Sequence, residues 1–161
     1  MSRRRAIFLS VLAALASVVL AAAPPDPVAW SAPGPAAKVK AGARFELKLA
    51  AHIQDGWHLY SMKPVEDGPI PTRIWLADGQ PVQLAGAIRA SDPEKVQDPS
   101  FGMEVELYEG EAEFTLPLRL AASAPAGPLT LSIHASYQSC DNKICLPPKT
   151  VTVAAPLTVV R

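Results

Sequence analysis

The clearest structural signal in the chain is the segment from Leu129 to Cys140, which has the sequence LTLSIHASYQSC. Apolar and polar residues alternate in it as far as Tyr137, a period of two that is typical of a β-strand with one buried face. A straight continuation of this strand puts Cys140 on its polar face. The other members of that face are His134, Ser136 and Gln138. We therefore expect the Cys140 side chain to lie outside the core.

Other segments of the chain have similar patterns. Residues 45–53 and 112–120 also alternate, and Pro117 in the second of these predicts an edge position or a bulge. Shorter strand candidates are residues 57–62, 72–76, 82–88, 105–108 and 149–153, separated by Asp-Gly or Glu-Gly turns. About seven to nine short strands with frequent turns predict an all-β fold, an immunoglobulin-like antiparallel β-sandwich.

The N-terminus has the features of a secretory signal peptide over residues 1–23. Three arginines at 3–5 precede an uncharged apolar run from Ala6 to Leu20, and small residues at 21–23 provide a cleavage site. We expect an exported domain over residues 24–161, starting with an extended or loosely ordered Pro/Ala-rich lead-in. Without the signal, 12 basic residues remain against 15 acidic ones, a net charge of about −3. This balance argues against nucleic-acid binding.

Both cysteines of the chain, Cys140 and Cys145, lie within YQSCDNKICLPP at residues 137–148. An exported chain is expected to close such a pair into a disulfide. A ring this small stabilises a fold by only about 2 kcal/mol, and a domain of this length can bury a core without it. Residues 141–143 predict a tight polar turn, in which Lys143 is the only cation between the cysteines. A redox-active pair, a structural staple and a metal site all remain open.

The segment from Tyr137 to Pro148 resembles the cysteine segment of the N-terminal periplasmic domain of DsbD, a thiol:disulfide interchange protein family. Three other segments resemble this family in the same order along the chain. They are IQDGWHLY at 53–60, DGPIPT at 67–72, and DPSFG at 98–102 followed by Tyr108. The resemblance covers essentially the whole mature chain.

The resemblance implies a periplasmic immunoglobulin-like sandwich with a redox-active disulfide and no other cofactor or metal. It implies a thiol–disulfide oxidoreductase of the protein-disulfide reductase type. Such a protein passes reducing equivalents from a thioredoxin-like or membrane donor to thioredoxin-fold and other disulfide proteins of the periplasm. The chain of 161 residues has no segment for a membrane or thioredoxin-like domain. We therefore expect a separate donor, and membrane contact only through that partner.

The resemblance also implies roles for individual residues. Cys140 and Cys145 match the exchanging pair, and Cys145 matches the cysteine that joins the partner. Phe101 matches an aromatic cap over the pair. Asp98, His58 and Tyr60 match residues that line the site, although His58 stands where a phenol can occur in the family.

Two alternatives from other functional classes stay open. The first is a non-catalytic β-sandwich binding module with a structural hairpin disulfide, in which Phe101, His58 and Tyr60 are ordinary packing residues. The second is metal handling, because two thiolates with His58, His134 or Met103 could hold a soft ion such as Cu(I). No spacing in the sequence requires a metal site, and we predict none.

Overall fold

The computed structural model describes residues 26–34 and 37–161. The predicted signal peptide lies outside the described residues. Within these ranges the secondary structure consists of thirteen β-strands. The strands are β1 (Val28–Ser31), β2 (Ala37–Lys40), β3 (Arg44–Ile53), β4 (His58–Tyr60), β5 (Arg73–Leu76), β6 (Val82–Leu84), β7 (Arg89–Ala90), β8 (Glu94–Asp98), β9 (Met103–Glu109), β10 (Glu111–Leu120), β11 (Gly127–Tyr137), β12 (Ser139–Cys140) and β13 (Lys149–Val160). In this part of the chain, no helix is long and apolar enough to cross a membrane.

The strands form three sheets. The first sheet has the order β1–β3–β10–β6, with β7 also paired to β10, and the second has the order β2–β13–β11–β5. The third sheet has the order β12–β4–β9–β8. Among the strands described, every pair is antiparallel except β2 with β13, which run parallel. The architecture is an all-β immunoglobulin-like sandwich, which confirms the predicted fold class.

The main core is built from the alternating faces that the sequence predicts. The inward residues of β10 are all buried, and β3 and β11 add their own inward rows from the two sides of the sandwich. These inward residues include Leu49, Ala51, Ile53, Ala112, Phe114, Leu116, Leu118, Leu120, Leu131, Ile133, Ala135 and Tyr137. Trp30 of β1 also packs there, with its ring centroid 5.5 Å from both Phe114 and Tyr137. Burial of this one apolar set stabilises both large sheets.

Pro117 lies on an interior strand rather than on an edge strand. β10 pairs with β3 on one side and with β7 and β6 on the other. The Pro117 carbonyl accepts a hydrogen bond of 2.8 Å from the Ala85 N–H, so the proline nitrogen faces the break between β6 and β7. The sheet therefore accommodates a residue without an N–H by interrupting the neighbouring strand at that point.

The third sheet packs against the main core through one face only. Leu59 of β4 and Tyr108 of β9 belong to the main core. The opposite face carries a second apolar cluster, formed by Tyr60, Val105, Leu107 and Cys140, which we call the satellite core. β4 is consequently buried on both of its faces.

The expected exposure of Cys140 is wrong, since this residue is only 1% exposed. The alternation of β11 does not continue to Cys140, because β11 ends at Tyr137 and the chain passes into the third sheet. There β12 pairs with β4, and Cys140 enters the satellite core. An exposed Cys140 would require β11 to run straight through Gln138, but the strand ends at Tyr137.

The pair Leu118 and Leu84 tests the main core, since the two residues lie opposite each other on β10 and β6. Leu118 is 0% exposed and Leu84 is 41% exposed. Leu118→Ala is expected to lower the free energy of unfolding by about 2–5 kcal/mol, because it leaves a cavity. The matched Leu84→Ala change should cost less than about 1 kcal/mol. Urea denaturation of both variants measures the difference, and equal losses would contradict this view of the core.

Candidate functional site

Cys140 and Cys145 form a disulfide across a tight hairpin, with an S–S distance of 2.05 Å and a Cα–Cα distance of 4.0 Å. The two residues are also an antiparallel bridge pair. A backbone hydrogen bond of 2.9 Å from Asp141 N to Ile144 O lies on one side of this pair. A second one, also of 2.9 Å, lies on the other side and joins the N–H of the residue after Cys145 to the carbonyl of the residue before Cys140. In a pair flanked in this way the side chains approach closely. The backbone itself therefore brings the two sulfurs together.

The hairpin turn is held by the side chain of Asp141. Its Oδ1 atom accepts hydrogen bonds of 2.7 Å from the backbone N–H groups of both Ile144 and Lys143. These two hydrogen bonds lower the pKa of the Asp141 carboxyl. The predicted polar turn at 141–143 is thus confirmed, and it carries a negative charge at neutral pH.

The two ends of the disulfide differ in exposure. Cys140 is buried in the satellite core, whereas Cys145 is exposed and its neighbour Ile144 is 56% exposed. Pro147 and Pro148, which follow on the return limb, are exposed as well. A molecule that approaches from solvent therefore meets Cys145 first.

Strand pairing places a row of side chains across the third sheet. Cys140 lies directly opposite His58 of β4, and His58 lies directly opposite Glu109 of β9. Residues directly opposite each other on antiparallel strands project from the same face. The row is therefore Glu109, His58, Cys140 and Cys145, with the imidazole as the side-chain neighbour of the buried cysteine.

A series of hydrogen-bonded, buried polar side chains starts at His58. Its Nε2 atom lies 3.2 Å from the Tyr60 hydroxyl oxygen, and that hydroxyl donates a hydrogen bond of 2.7 Å to Asp98 Oδ2. The other carboxylate oxygen of Asp98 accepts a hydrogen bond of 2.7 Å from the Ser100 N–H. The side chains of His58, Tyr60 and Asp98 are all buried. Their hydrogen bonds offset the free-energy cost of removing these polar groups from water.

The surroundings shift the pKa values of two side chains in this series, His58 and Tyr60. Burial lowers the pKa of His58, although the negative charges of Asp98, Glu109 and Asp141 act in the opposite direction. Burial raises the pKa of Tyr60, and the hydrogen bond to Asp98 raises it further. At neutral pH the imidazole is therefore mainly uncharged and the phenol keeps its proton.

Phe101 lies in the loop of residues 99–102 between β8 and β9. Its partly buried ring packs edge-on against Tyr60, with 5.9 Å between ring centroids, at the rim of the satellite core. Asp98 fixes this loop twice, through its contact with Ser100 and through a hydrogen bond of 2.8 Å from Gly102 N to its own carbonyl. Gly102 has a φ of 66°, a conformation that favours glycine.

The structure brings the six predicted site residues into one region around the satellite core. The candidate metal ligands do not all lie there. His134 belongs to β11 of the second sheet, where Thr152 contacts its Nδ1 atom at 3.0 Å. Met103 lies at the rim of the satellite core. In residues 26–34 and 37–161, no three His, Cys, Asp or Glu side chains are grouped so that they could hold a metal ion.

Several neighbours of the cysteine pair were not predicted from the sequence. Val105 and Leu107 surround Cys140, and their alternation along residues 103–109 is a signal that could have placed them on one buried face. Glu109 and Asp141 act on His58 through their charges. No sequence signal indicates these two contacts, because they depend on strand pairing and on the position of the hairpin.

Comparison with known proteins gives a family match. The model of the family described as "Thiol:disulfide interchange protein DsbD, N-terminal" matches residues 28–157. No curated protein sequence matches the chain.

Several solved structures of low sequence identity match part of the chain. The N-terminal periplasmic domain of ScsB from Proteus mirabilis is 16% identical with a TM-score of 0.47, over 81% of this chain and 44% of that chain. Self-complemented MyfA, the major subunit of Myf fimbriae from Yersinia enterocolitica, is 13% identical with a TM-score of 0.34, over 81% and 98% of the two chains. A family 123 glycoside hydrolase from Clostridium perfringens is 8% identical with a TM-score of 0.35, over 84% and 28%.

The family match extends from the first residue of β1 into β13 and so includes both cysteines and the loop that carries Phe101. Because it spans most of the sequence, this chain belongs to the family of N-terminal domains of the thiol:disulfide interchange protein DsbD.

Proposed function

We propose that this protein is a periplasmic thiol–disulfide exchange module that works through Cys140 and Cys145. It takes reducing equivalents from a thioredoxin-like or membrane donor and passes them to disulfide proteins of the periplasm, including those with a thioredoxin fold. The observation that carries the proposal is the asymmetric disulfide, with one cysteine in the satellite core and the other exposed. Membership of the DsbD N-terminal family supports it.

The first half of the cycle reduces the protein. A donor thiolate attacks the sulfur of Cys145, the bond to Cys140 breaks, and the electron pair of that bond moves to the Cys140 sulfur. A second thiol of the donor then displaces Cys145 from the mixed disulfide. The donor leaves oxidised, and the protein holds two thiols. Exposure of Cys145 supports its role as the point of attack.

The second half of the cycle reduces the acceptor. The Cys145 thiolate attacks the acceptor disulfide, and the Cys140 sulfur then attacks Cys145 and releases the acceptor as a thiol. A buried resolving cysteine suits this step, since it is shielded from bulk thiols but lies 4.0 Å from Cys145 between Cα atoms.

We assign the loop at residues 99–102 the role of a shield. Phe101 packs at the rim of the cluster that contains Cys140. Asp98, which is buried and joined to Tyr60, holds this loop at the edge of the third sheet. Docking of a partner would displace Phe101, so that exchange with correct partners is faster than exchange with stray thiols.

A second candidate function is a binding module with a purely structural disulfide. The observation that favours it is the 1% exposure of Cys140, which packs like an ordinary core residue. The two candidates differ in how easily the bond is reduced and in whether Cys145 forms adducts with other proteins. Both differences are measurable.

Single-cysteine variants test the exchange cycle. Cys140→Ser leaves Cys145 without its resolving partner, so this variant should accumulate a mixed disulfide with an oxidised periplasmic thioredoxin-fold protein. Cys145→Ser should form little adduct, because the remaining cysteine is buried. Mass spectrometry without reductant measures both, with the double serine variant as control. If neither single variant forms an adduct, the protein is not an exchange module.

The reduction potential separates the two candidate functions. An exchanging disulfide should titrate above about −300 mV, whereas structural disulfides typically lie below this value. Equilibration in dithiothreitol buffers, followed by trapping of free thiols and mass spectrometry, measures the potential of the wild-type protein. A potential below that limit would favour the structural role.

The shield predicts a kinetic effect at Phe101. Phe101→Ala should speed reduction of the disulfide by dithiothreitol several-fold, because the reagent can then also reach Cys140, beside which the ring packs in the wild type. Phe45→Ala is the matched control, since this partly buried phenylalanine packs against the main core and not the satellite core. Equal rates for the wild type and Phe101→Ala would remove the shielding role.

A further inference from the structure

The proposed cycle moves a proton at a buried sulfur. Each time the disulfide forms or breaks, the Cys140 sulfur loses or gains a proton inside the satellite core, where the residue is 1% exposed. A thiolate is disfavoured in buried, apolar surroundings and near negative charges. The step therefore needs a group close to Cys140 that exchanges protons. Lys143, the only cation between the two cysteines in sequence, is exposed in the hairpin turn.

His58 is the titratable side chain that strand pairing places next to Cys140. The two residues are directly opposite each other on β4 and β12, an arrangement that puts their Cβ atoms about 5 Å apart on one face of the sheet. His58 is itself buried. Because backbone pairing of β12 with β4 holds both residues, we expect them to remain neighbours when the disulfide is open.

The hydrogen bonds of Tyr60 fix which imidazole nitrogen carries the proton. The single hydroxyl proton of Tyr60 is donated to Asp98, so the hydroxyl oxygen acts as acceptor toward His58. The Nε2 atom of His58 must therefore be the N–H donor, and in the neutral ring Nδ1 keeps its lone pair. Nδ1 has no hydrogen-bond partner among the side chains and backbone that the structure describes, which leaves it free to accept a proton.

A path to solvent lies beside the imidazole. His58 lines a pocket of about 160 Å³, which has room for water. Each neighbouring element contributes an acidic group to this region: Asp98 comes from β8, Glu109 from β9 and Asp141 from the hairpin turn. These carboxylates stabilise a transient imidazolium, and the pocket lets its proton pass to water.

We propose that His58 is the proton-transfer residue for Cys140, a role that rests on the exchange function proposed above. When Cys140 resolves the mixed disulfide, its thiol proton moves to His58 Nδ1. The sulfur electron pair forms the bond to Cys145, and the bond between Cys145 and the acceptor breaks, so that the acceptor sulfur leaves as a thiolate. In the reducing direction the imidazolium returns a proton to the Cys140 sulfur. Because burial lowers the pKa of His58, the ring is an available base at neutral pH.

Ring closure by Cys140 can be measured without any protein partner. The reduced protein is mixed with 5,5′-dithiobis(2-nitrobenzoate), an aromatic disulfide that reacts first at the exposed Cys145 and releases one coloured thiolate. Attack by Cys140 on this adduct then releases a second thiolate, and the rate of the second release is the rate of ring closure. Cys140→Ser provides the control, since it should release only the first thiolate.

His58→Gln tests the role of the imidazole, because glutamine retains a donor for Tyr60 but cannot act as a base at neutral pH. We expect ring closure at neutral pH to slow by about 100-fold. In the wild type, the rate should rise with pH through the lowered pKa of His58 and then level off. In the variant it should continue to rise, since only solvent removes the thiol proton. His134→Gln, which changes a histidine of the second sheet, should match the wild type.

An unchanged rate and pH profile in His58→Gln would overturn the proposal. If that variant does not fold, nitrogen NMR of wild-type His58 decides the question, and a neutral ring protonated at Nδ1 would refute the assignment while one protonated at Nε2 supports it. Ring closure does not involve a partner. A histidine-dependent rate combined with no adducts to proteins would therefore disprove the exchange function and leave the role of His58 standing.

Discussion

The pairing of β12 with β4 is the contact on which the site depends. It takes the chain out of the second sheet after Tyr137 and sets Cys140 opposite His58 in the third sheet. One two-residue strand thereby buries one cysteine, orients the hairpin that carries the other, and supplies an imidazole neighbour. A straight extension of β11 would instead leave Cys140 on a polar face, away from the hydrogen-bonded side chains of His58, Tyr60 and Asp98.

β4 connects the stability of the fold to the chemistry of the site. Its central residue, Leu59, packs in the main core, while His58 and Tyr60 on either side face the satellite core. Polar groups in such a position destabilise a protein unless each one is hydrogen-bonded. The contacts from His58 through Tyr60 to Asp98 meet this requirement and, through Asp98, also fix the loop that carries Phe101. The same hydrogen bonds therefore satisfy buried groups and position the site.

The parts of the fold with one buried face could be predicted from sequence, since alternation in β3, β10 and β11 directly reflects burial. β8 could not be predicted, because Glu94–Asp98 has only one apolar residue, Val96. β1 could not be predicted either, because it lies in a proline-rich segment. Family resemblance predicted six site residues, and these six lie close together in the structure. The burial of Cys140 and its pairing with His58 could not be predicted from the sequence. Both depend on the passage of the chain from the second sheet to the third, which local alternation of apolar and polar residues does not indicate. For the same reason, position along the chain indicates only Lys143 as a charged neighbour of the cysteines, whereas His58 becomes the neighbour of Cys140 through strand pairing.

The backbone bonds on both sides of the Cys140–Cys145 pair, together with the Asp141 turn, hold the hairpin closed independently of the sulfur–sulfur bond. Opening that bond consequently releases little conformational entropy, and the chain needs no reorganisation before the bond forms again. We expect both oxidation states to share one main-chain conformation. In the proposed exchange cycle, the main chain would then keep one conformation, and only electrons, protons and a few side chains would move.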